Sequence, residues 1–426
     1  MLLKITLLAI LFISTLNTSF LEAHKSNPLS FEDIIPLILE NNIDIKLSKI
    51  NMNKSQVSYK QKSLWRNPTV DIDWDNWGGS KDTANKEDLE STWSFSKSID
   101  FSQQGHFSKK IGRLDKIYHE KIFDHTQRET LSKASNTFAL ILKMQSDLNL
   151  AKKRSVLLEE MLAVATKKMK AGRCSEVELL SIQALLAEGK INILEAQENL
   201  KIKKHKLERF WNHDAKILGS VYGTLENIPP LPSIDDLKNS LDNNIEIIKM
   251  KYDIKKASIT FDLEKRKVLP TVDLKIGTRF LQESDQNTWV ASLSIPLPLF
   301  DQNQNAIKLA KIEKKANSLD FEMNNKRIEV SFLEQYQHLK LLLRKINIMK
   351  EKIIPLNLRA LHLTHKGYHQ GAFSYFEVLS AEKKSFDVQE KIISFAAQYI
   401  KKYNNLMLYV GKDPYVYGSK KSKEKE

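Results

Sequence analysis

The residues with the most chemical potential in this 426-residue chain crowd into one stretch near its C-terminus. His362, His365 and His369 follow at steps of three and four, so one helix face can present all three. His365 and His369 have the i, i+4 spacing of metal-binding pairs on helices, and they would be the ligands if a metal bound. No carboxylate or cysteine completes a set within the segment, so solvated polar histidines are the expectation. Just beyond, Gly371-Ala372-Phe373-Ser374-Tyr375-Phe376-Glu377-Val378-Leu379-Ser380 fits G-x-x-S-x-x-E-x-L-S, and so does Gly172-Arg173-Cys174-Ser175-Glu176-Val177-Glu178-Leu179-Leu180-Ser181. Gly172 and Gly371 permit a tight helix-to-helix reversal, Ser175 and Ser374 can cap the returning helices, and Glu178 and Glu377 stand one turn further in. There is no G-x-S-x-G, P-loop or C-x-x-C, so neither an enzyme nor a cofactor is expected.

The repeated turn belongs to a longer repeat. Asn41-Asn42-Ile43-Asp44-Ile45 matches Asn243-Asn244-Ile245-Glu246-Ile247, and Pro68-Thr69-Val70-Asp71 matches Pro270-Thr271-Val272-Asp273, both at an offset of 202. Thr92-Trp93 matches Thr288-Trp289 at 196, and the two turn glycines lie 199 apart. The chain is therefore read as two copies, 30–212 and 233–412, with a linker at 213–232 that contains Ile228-Pro229-Pro230-Leu231-Pro232. A basic tail, 413–426, follows. Two copies at so long a period do not make a solenoid. Each copy reads helix, two strands, long helix, turn, helix.

The strands alternate. Val70, Ile72 and Trp74 face one way and Thr69, Asp71, Asp73 and Asp75 the other, and Trp93, Phe95 and Ile99 alternate with Thr92, Ser94, Ser96 and Ser98, with Lys97 breaking the apolar side. In the second copy Val272, Leu274, Ile276 and Phe280, then Trp289, Ala291, Leu293 and Ile295, repeat the pattern. Runs of about 9–11 residues suit strands that cross a membrane at a tilt. Four of the six tryptophans (Trp74, Trp77, Trp93 and Trp289) lie in or beside these runs, as an interfacial girdle requires. A soluble sheet gives the same alternation, but the tryptophans and the leader favour the membrane. In lipid a sheet must close, and four strands are too few, so several copies must share one barrel.

The leader is Met1-Leu2-Leu3-Lys4, an apolar run Ile5–Ile13 and Leu21-Glu22-Ala23, read as a secretory signal over 1–23. The lone Cys174 excludes a disulfide framework. Net charge is +14, yet the basic residues spread through helical segments, so no nucleic-acid partner is expected. The helices are long: 108–170 holds one glycine and no proline, and ~60 helical residues reach ~90 Å. Over 305–368 only Pro355 should kink or break the helix. Phe332, Tyr336, Leu339, Leu343, Ile346 and Ile353 make a coiled-coil seam with Lys350 at one position. Pro68 and Pro270 mark helix-to-strand joints, and Pro296 and Pro298 the return.

In these runs, above all Leu293-Ser294-Ile295-Pro296-Leu297-Pro298-Leu299-Phe300-Asp301 and Tyr368-His369-Gln370-Gly371 through Ala381, the chain resembles the TolC-type outer membrane efflux protein family. The Ile-Pro-Leu-Pro-Leu-Phe-Asp run is most similar to the heavy-metal, cation-exporting branch. The resemblance implies a mostly α fold with a small β part and internally duplicated halves. It implies a homotrimer that shares a transmembrane β-barrel in outer membrane lipid, four strands per chain, above a long coiled-coil barrel in the periplasm. It also implies a periplasmic adaptor (membrane fusion) protein docked at the tips (Gly172, Arg173, Ser175, Gly371, Phe373, Ser374) and an inner-membrane pump of resistance-nodulation-division type. Loops 76–90 and 281–287 would face outside the cell. Glu377 and Ser380 occupy the family's gate-lining positions, with Glu178 the counterpart of Glu377. The arginine that some relatives carry two residues after the second glycine is Phe373 here. A ring of Glu377 carboxylates would repel and favour cations. The expected function is a passive exit duct for heavy-metal cations, with drug efflux or type I protein secretion as the alternative. A periplasmic coiled-coil adaptor or structural protein is the reading from another class.

Overall fold

The computed structural model describes residues 29–77, 89–172, 175–212, 221–370 and 372–415. The expected leader, Arg173, Cys174, Gly371, most of the 76–90 loop, part of the linker and most of the tail lie outside the described residues. So does the side chain of His369.

The elements repeat as the sequence does. The first copy runs α1 (Phe31–Asn41), α2 (Ile43–Lys62), β1 (Thr69–Asp75), β2 (Glu90–Asp100), α3 (Gln104–Lys170) and α4 (Glu176–Glu208). The second runs α5 (Ile234–Lys238), α6 (Ile245–Arg266), β3 (Thr271–Leu281), β4 (Gln286–Ser294), α7 (Gln304–Ile348), α8 (Ile354–His369) and α9 (Tyr375–Tyr409). The matched asparagines do matched work. Asn42 Nδ2 donates to the Phe210 carbonyl at 2.9 Å, and Asn244 Nδ2 donates to the Tyr409 carbonyl at 2.8 Å. Both are buried, so each amide needs such a partner.

The chain divides into two compact units. One comprises the chain to Ser48, Asp124–Asn244 and Glu329 onward; the other comprises Lys49–Phe123 and Ile245–Ile328. In the first unit the seam of α7 buries Phe332, Leu339 and Ile346, with Tyr336 close behind. Met349, not Lys350, takes the next buried place, and Lys350 donates instead to the Glu226 carbonyl. Pro355 does not break the helix. A π-turn over Met349–Ile353 precedes it, and α8 starts again with the proline in its first turn, where a missing N–H costs nothing. The proline-rich linker is held by tyrosines: Tyr399 Oη donates to the Pro229 carbonyl at 2.9 Å and Tyr336 Oη to that of Pro232 at 3.2 Å.

The second unit carries one four-stranded antiparallel sheet in the order β1-β2-β3-β4. β1 has seven residues, shorter than the sequence reading, while β2, β3 and β4 have 11, 11 and nine. Below the sheet end of the helices, Asp115 on α3 accepts from Tyr252 on α6 at 2.6 Å and from Lys62 on α2 at 3.3 Å. Burial alone would raise the Asp115 carboxyl, but the bond from Tyr252 and the charges of Lys256 and Lys62 hold it below its ordinary range.

Candidate functional site

Two regions hold the residues that the sequence singles out. The first is the sheet. Its register puts Val70, Phe95, Ile276 and Ala291 in one row across the strands, and Ile72, Trp93, Thr278 and Trp289 in the next. These apolar side chains are exposed: Ile276 by 58%, Trp93 by 54% and Trp289 by 85%. The opposite face is polar and cross-linked. Lys275 reaches Asp73 at 2.7 Å, Arg279 reaches Glu90 at 2.8 Å, and Ser98 donates to Asp273 at 2.5 Å. An exposed apolar face opposite a polar one is inside-out for water and right for lipid outside a wet lumen. Among the described residues no strand pairs with the outer edges of β1 and β4, so their backbone groups are open to one.

The second region is the pair of helical turns, both in the first unit. Gly172 adopts φ +68°, which only glycine takes without strain, and its N–H closes on the Met169 carbonyl at 2.9 Å. Ser175 caps α4 by accepting from the Glu178 amide at 3.2 Å. At the second turn Ser374 accepts from the Glu377 amide, and the Glu377 carboxylate accepts from the Ser374 backbone at 2.6 Å and its hydroxyl at 2.8 Å, a reciprocal capping box. Those bonds, the backbone one first, hold the Glu377 carboxyl below its usual range, so it is an anion at neutral pH. Phe373 lies over Gly367, where even a methyl group would come within 2.2 Å of its ring. Replacing Ser374 by alanine removes the cap and costs about 1 kcal/mol locally. Amide exchange over 375–378 should then speed by roughly fivefold, read by mass spectrometry.

The two turns share a core. Ala165 of α3, Ile182 of α4 and Tyr375 of α9 are buried together, with Leu162, Leu179 and Leu379 packed around them. Lys168 donates to Tyr368 Oη at 2.7 Å and its ammonium sits 3.9 Å from that ring's centre. Ser380 is exposed, and Glu178 is half-buried.

Sequence reasoning passed over Glu382. It lies on the buried face of α9 with Tyr375, Val378 and Ser385, and that helical spacing is the signal that could have found it. His365 Nε2 comes within 2.9 Å of Glu382 Oε1, but Oε1 receives no properly aligned hydrogen bond. Thus His365 meets a carboxylate on the neighbouring helix. Among the described residues, no group of three or more ligand-type side chains could hold a metal. Burial pushes the Glu382 carboxyl up to about 7, with Arg154 opposing and Glu160 adding to the rise. Between about pH 4.5, its ordinary value, and about 7 the folded chain therefore keeps a proton that the unfolded chain releases. The resulting stabilisation is present below about pH 4.5 and is lost as pH rises through about 7. Glu382→Gln should flatten this fall, so thermal unfolding from pH 5 to 8 should drop less steeply in the variant than in the parent.

The fold is thus a duplicated, mostly helical chain with one four-stranded antiparallel sheet whose apolar face is exposed. Residues 237–412 match the family described as outer membrane efflux protein. The chain is 20% identical over 234 residues to the cobalt-zinc-cadmium resistance protein CzcC of Cupriavidus metallidurans, a match over 55% of this chain and 56% of the relative. That match thus spans little more than half of the relative's length. It is 22% identical over 408 residues to the cation efflux system protein CusC of Escherichia coli O157:H7, over 88% and 84% of the two chains. In fold it is similar to a crystal structure of CusC, with a TM-score of 0.75 at 16% identity over 90% of this chain and 92% of the other. The outer membrane protein VceC of Vibrio cholerae gives 0.75 at 14% identity, over 90% and 96%.

Proposed function

We propose that the chain is the outer membrane exit duct of a tripartite efflux system, a homotrimer whose twelve strands close one barrel and whose helices form a periplasmic tunnel. The observation that carries this reading is the sheet with an exposed apolar face and two open edges. One chain cannot satisfy those edges in lipid; three together can. The duct does no chemistry and hydrolyses nothing. Energy comes from an inner-membrane pump of resistance-nodulation-division type, joined to the duct by a periplasmic adaptor at the two helical turns.

The exported substrate is a heavy-metal cation. The likeness to a cobalt-zinc-cadmium resistance protein and a cation efflux protein supports this choice. So does Glu377, whose anionic carboxylate would form a ring of three around the tunnel axis. Deleting the gene should sensitise cells to zinc, cobalt, cadmium or copper. Sensitivity to drugs alone would transfer the duct to drug export instead. In planar bilayers, Glu377→Ala should lower the preference for cations over anions severalfold, because the ring loses three charges. Unchanged selectivity would remove Glu377 from the gate.

A further inference from the structure

Two of the most exposed large apolar side chains among the described residues bracket the sheet. Trp65, just before β1, is 88% exposed, and Phe300, just after β4, is 93% exposed. Leu64, Leu297 and Leu299 beside them are exposed as well. The register brings the start of β1, the end of β2, the start of β3 and the end of β4 to the same end of the sheet. At the two inner joints, Phe101 and Leu269 are only 53% and 46% exposed, because strands of the same chain flank them. Ile295, directly after β4, is exposed to a similar degree, but the most exposed apolar side chains of the four joints, Trp65, Leu297, Leu299 and Phe300, lie at the outer two, where one side of each is open.

These segments are not slack. Lys97 donates to the Arg66 carbonyl at 2.5 Å and pins the chain next to Trp65. Beyond Phe300, Asn303 donates to the Glu264 carbonyl at 2.8 Å and to its carboxylate at 2.7 Å, and the Asn303 amide donates to Asp301 at 2.8 Å. Both segments are held in place before any partner arrives, so little ordering entropy opposes contact.

Strand direction then names the partner. The free edge of β4 continues the alternating sheet only by pairing antiparallel with an edge that runs as β1 does. In that pairing the end of β4 lies beside the start of β1. Within one chain these two edges are separated by β2 and β3, so the β1 that meets β4 belongs to another copy. We infer that Leu297, Leu299 and Phe300 of one copy pack against Leu64 and Trp65 of the next, forming an apolar clasp at each strand–helix joint of the ring. The occupant of this surface is a second copy of the chain, and the inference rests on the shared barrel proposed above. Continuity with the open strand edges is what selects it over lipid.

Disulfide trapping tests the clasp. In a Cys174→Ser background, chains carrying Trp65→Cys and chains carrying Phe300→Cys are co-expressed and oxidised in isolated outer membranes. A covalent dimer that forms only when both variants are present is expected on non-reducing gels. A Leu64→Cys and Leu297→Cys pair guards against a variant that fails to assemble. Trimers by native mass without any cross-link in either pair would overturn the clasp while leaving the trimer standing, as would strong quenching of Trp65 fluorescence by brominated phospholipid. A monomer by native mass would overturn both the clasp and the shared barrel.

Discussion

An arginine at position 276 is expected to cost the assembled protein about 2–4 kcal/mol and to deplete it from the outer membrane. Ile276 stands in the middle of β3, with Phe95 on one side and Ala291 on the other, and its side chain is 58% exposed on the apolar face. If that face meets hydrocarbon, a guanidinium there must be dragged through lipid or pulled away from its row. An arginine at Ser292, next along β4 from Ala291, gives the decisive comparison. Ser292 pairs with Lys275 on the opposite face, which already carries Lys275, Asp73 and Arg279. There the charge enters a wet, polar row and should change little. Urea titration of the protein in bilayers reads both values. Equal costs at the two positions would mean that the faces are not lipid and lumen.

Gly277→Val is expected to be as damaging by a different route. A Cβ at 277 would lie 2.3 Å from the Trp93 carbonyl oxygen and 2.6 Å from Ser94 Cβ. The first of these is backbone, so no side-chain rotation relieves the clash, and β2 and β3 must part along their whole contact. Overpacking of this kind costs about 1–3 kcal/mol in ordinary cores, and here it acts on the central strand pair of the sheet. The trimer band on semi-native gels should fall roughly tenfold or more, since each ~1.4 kcal/mol is a factor of ten. Gly277→Ala should be milder only if the strands can separate by a few tenths of an ångström. A valine variant that assembles normally would contradict the close approach.

Much of this was legible in the chain. The duplication could be read because buried asparagines, strand-opening prolines and turn glycines cannot drift: each does a job that few other residues can do, as Asn42 and Asn244 illustrate. Alternation over β1 to β4 announced four strands and their two faces, since a period of two has no other common source. The tertiary adjustments were not legible. Pro355 reads as a kink or a break, but whether a helix breaks or slips into a π-turn depends on what its neighbours hold in place. Met349 displaced Lys350 from the seam for the same reason. The spacing of Glu382 with Tyr375, Val378 and Ser385 marks it as a buried-face position, but its partner His365 is set only by how α8 packs across it. Glu377 was legible as a residue of the turn, while the capping box that fixes its carboxylate needed the backbone geometry of Ser374.

The central claim is that copies of this chain make one water-filled passage through a membrane, and single-channel recording tests it most directly. Purified protein added to a planar bilayer should give long-lived, uniform conductance steps that favour cations. A water-soluble monomer that never raises the conductance of the bilayer would contradict the account.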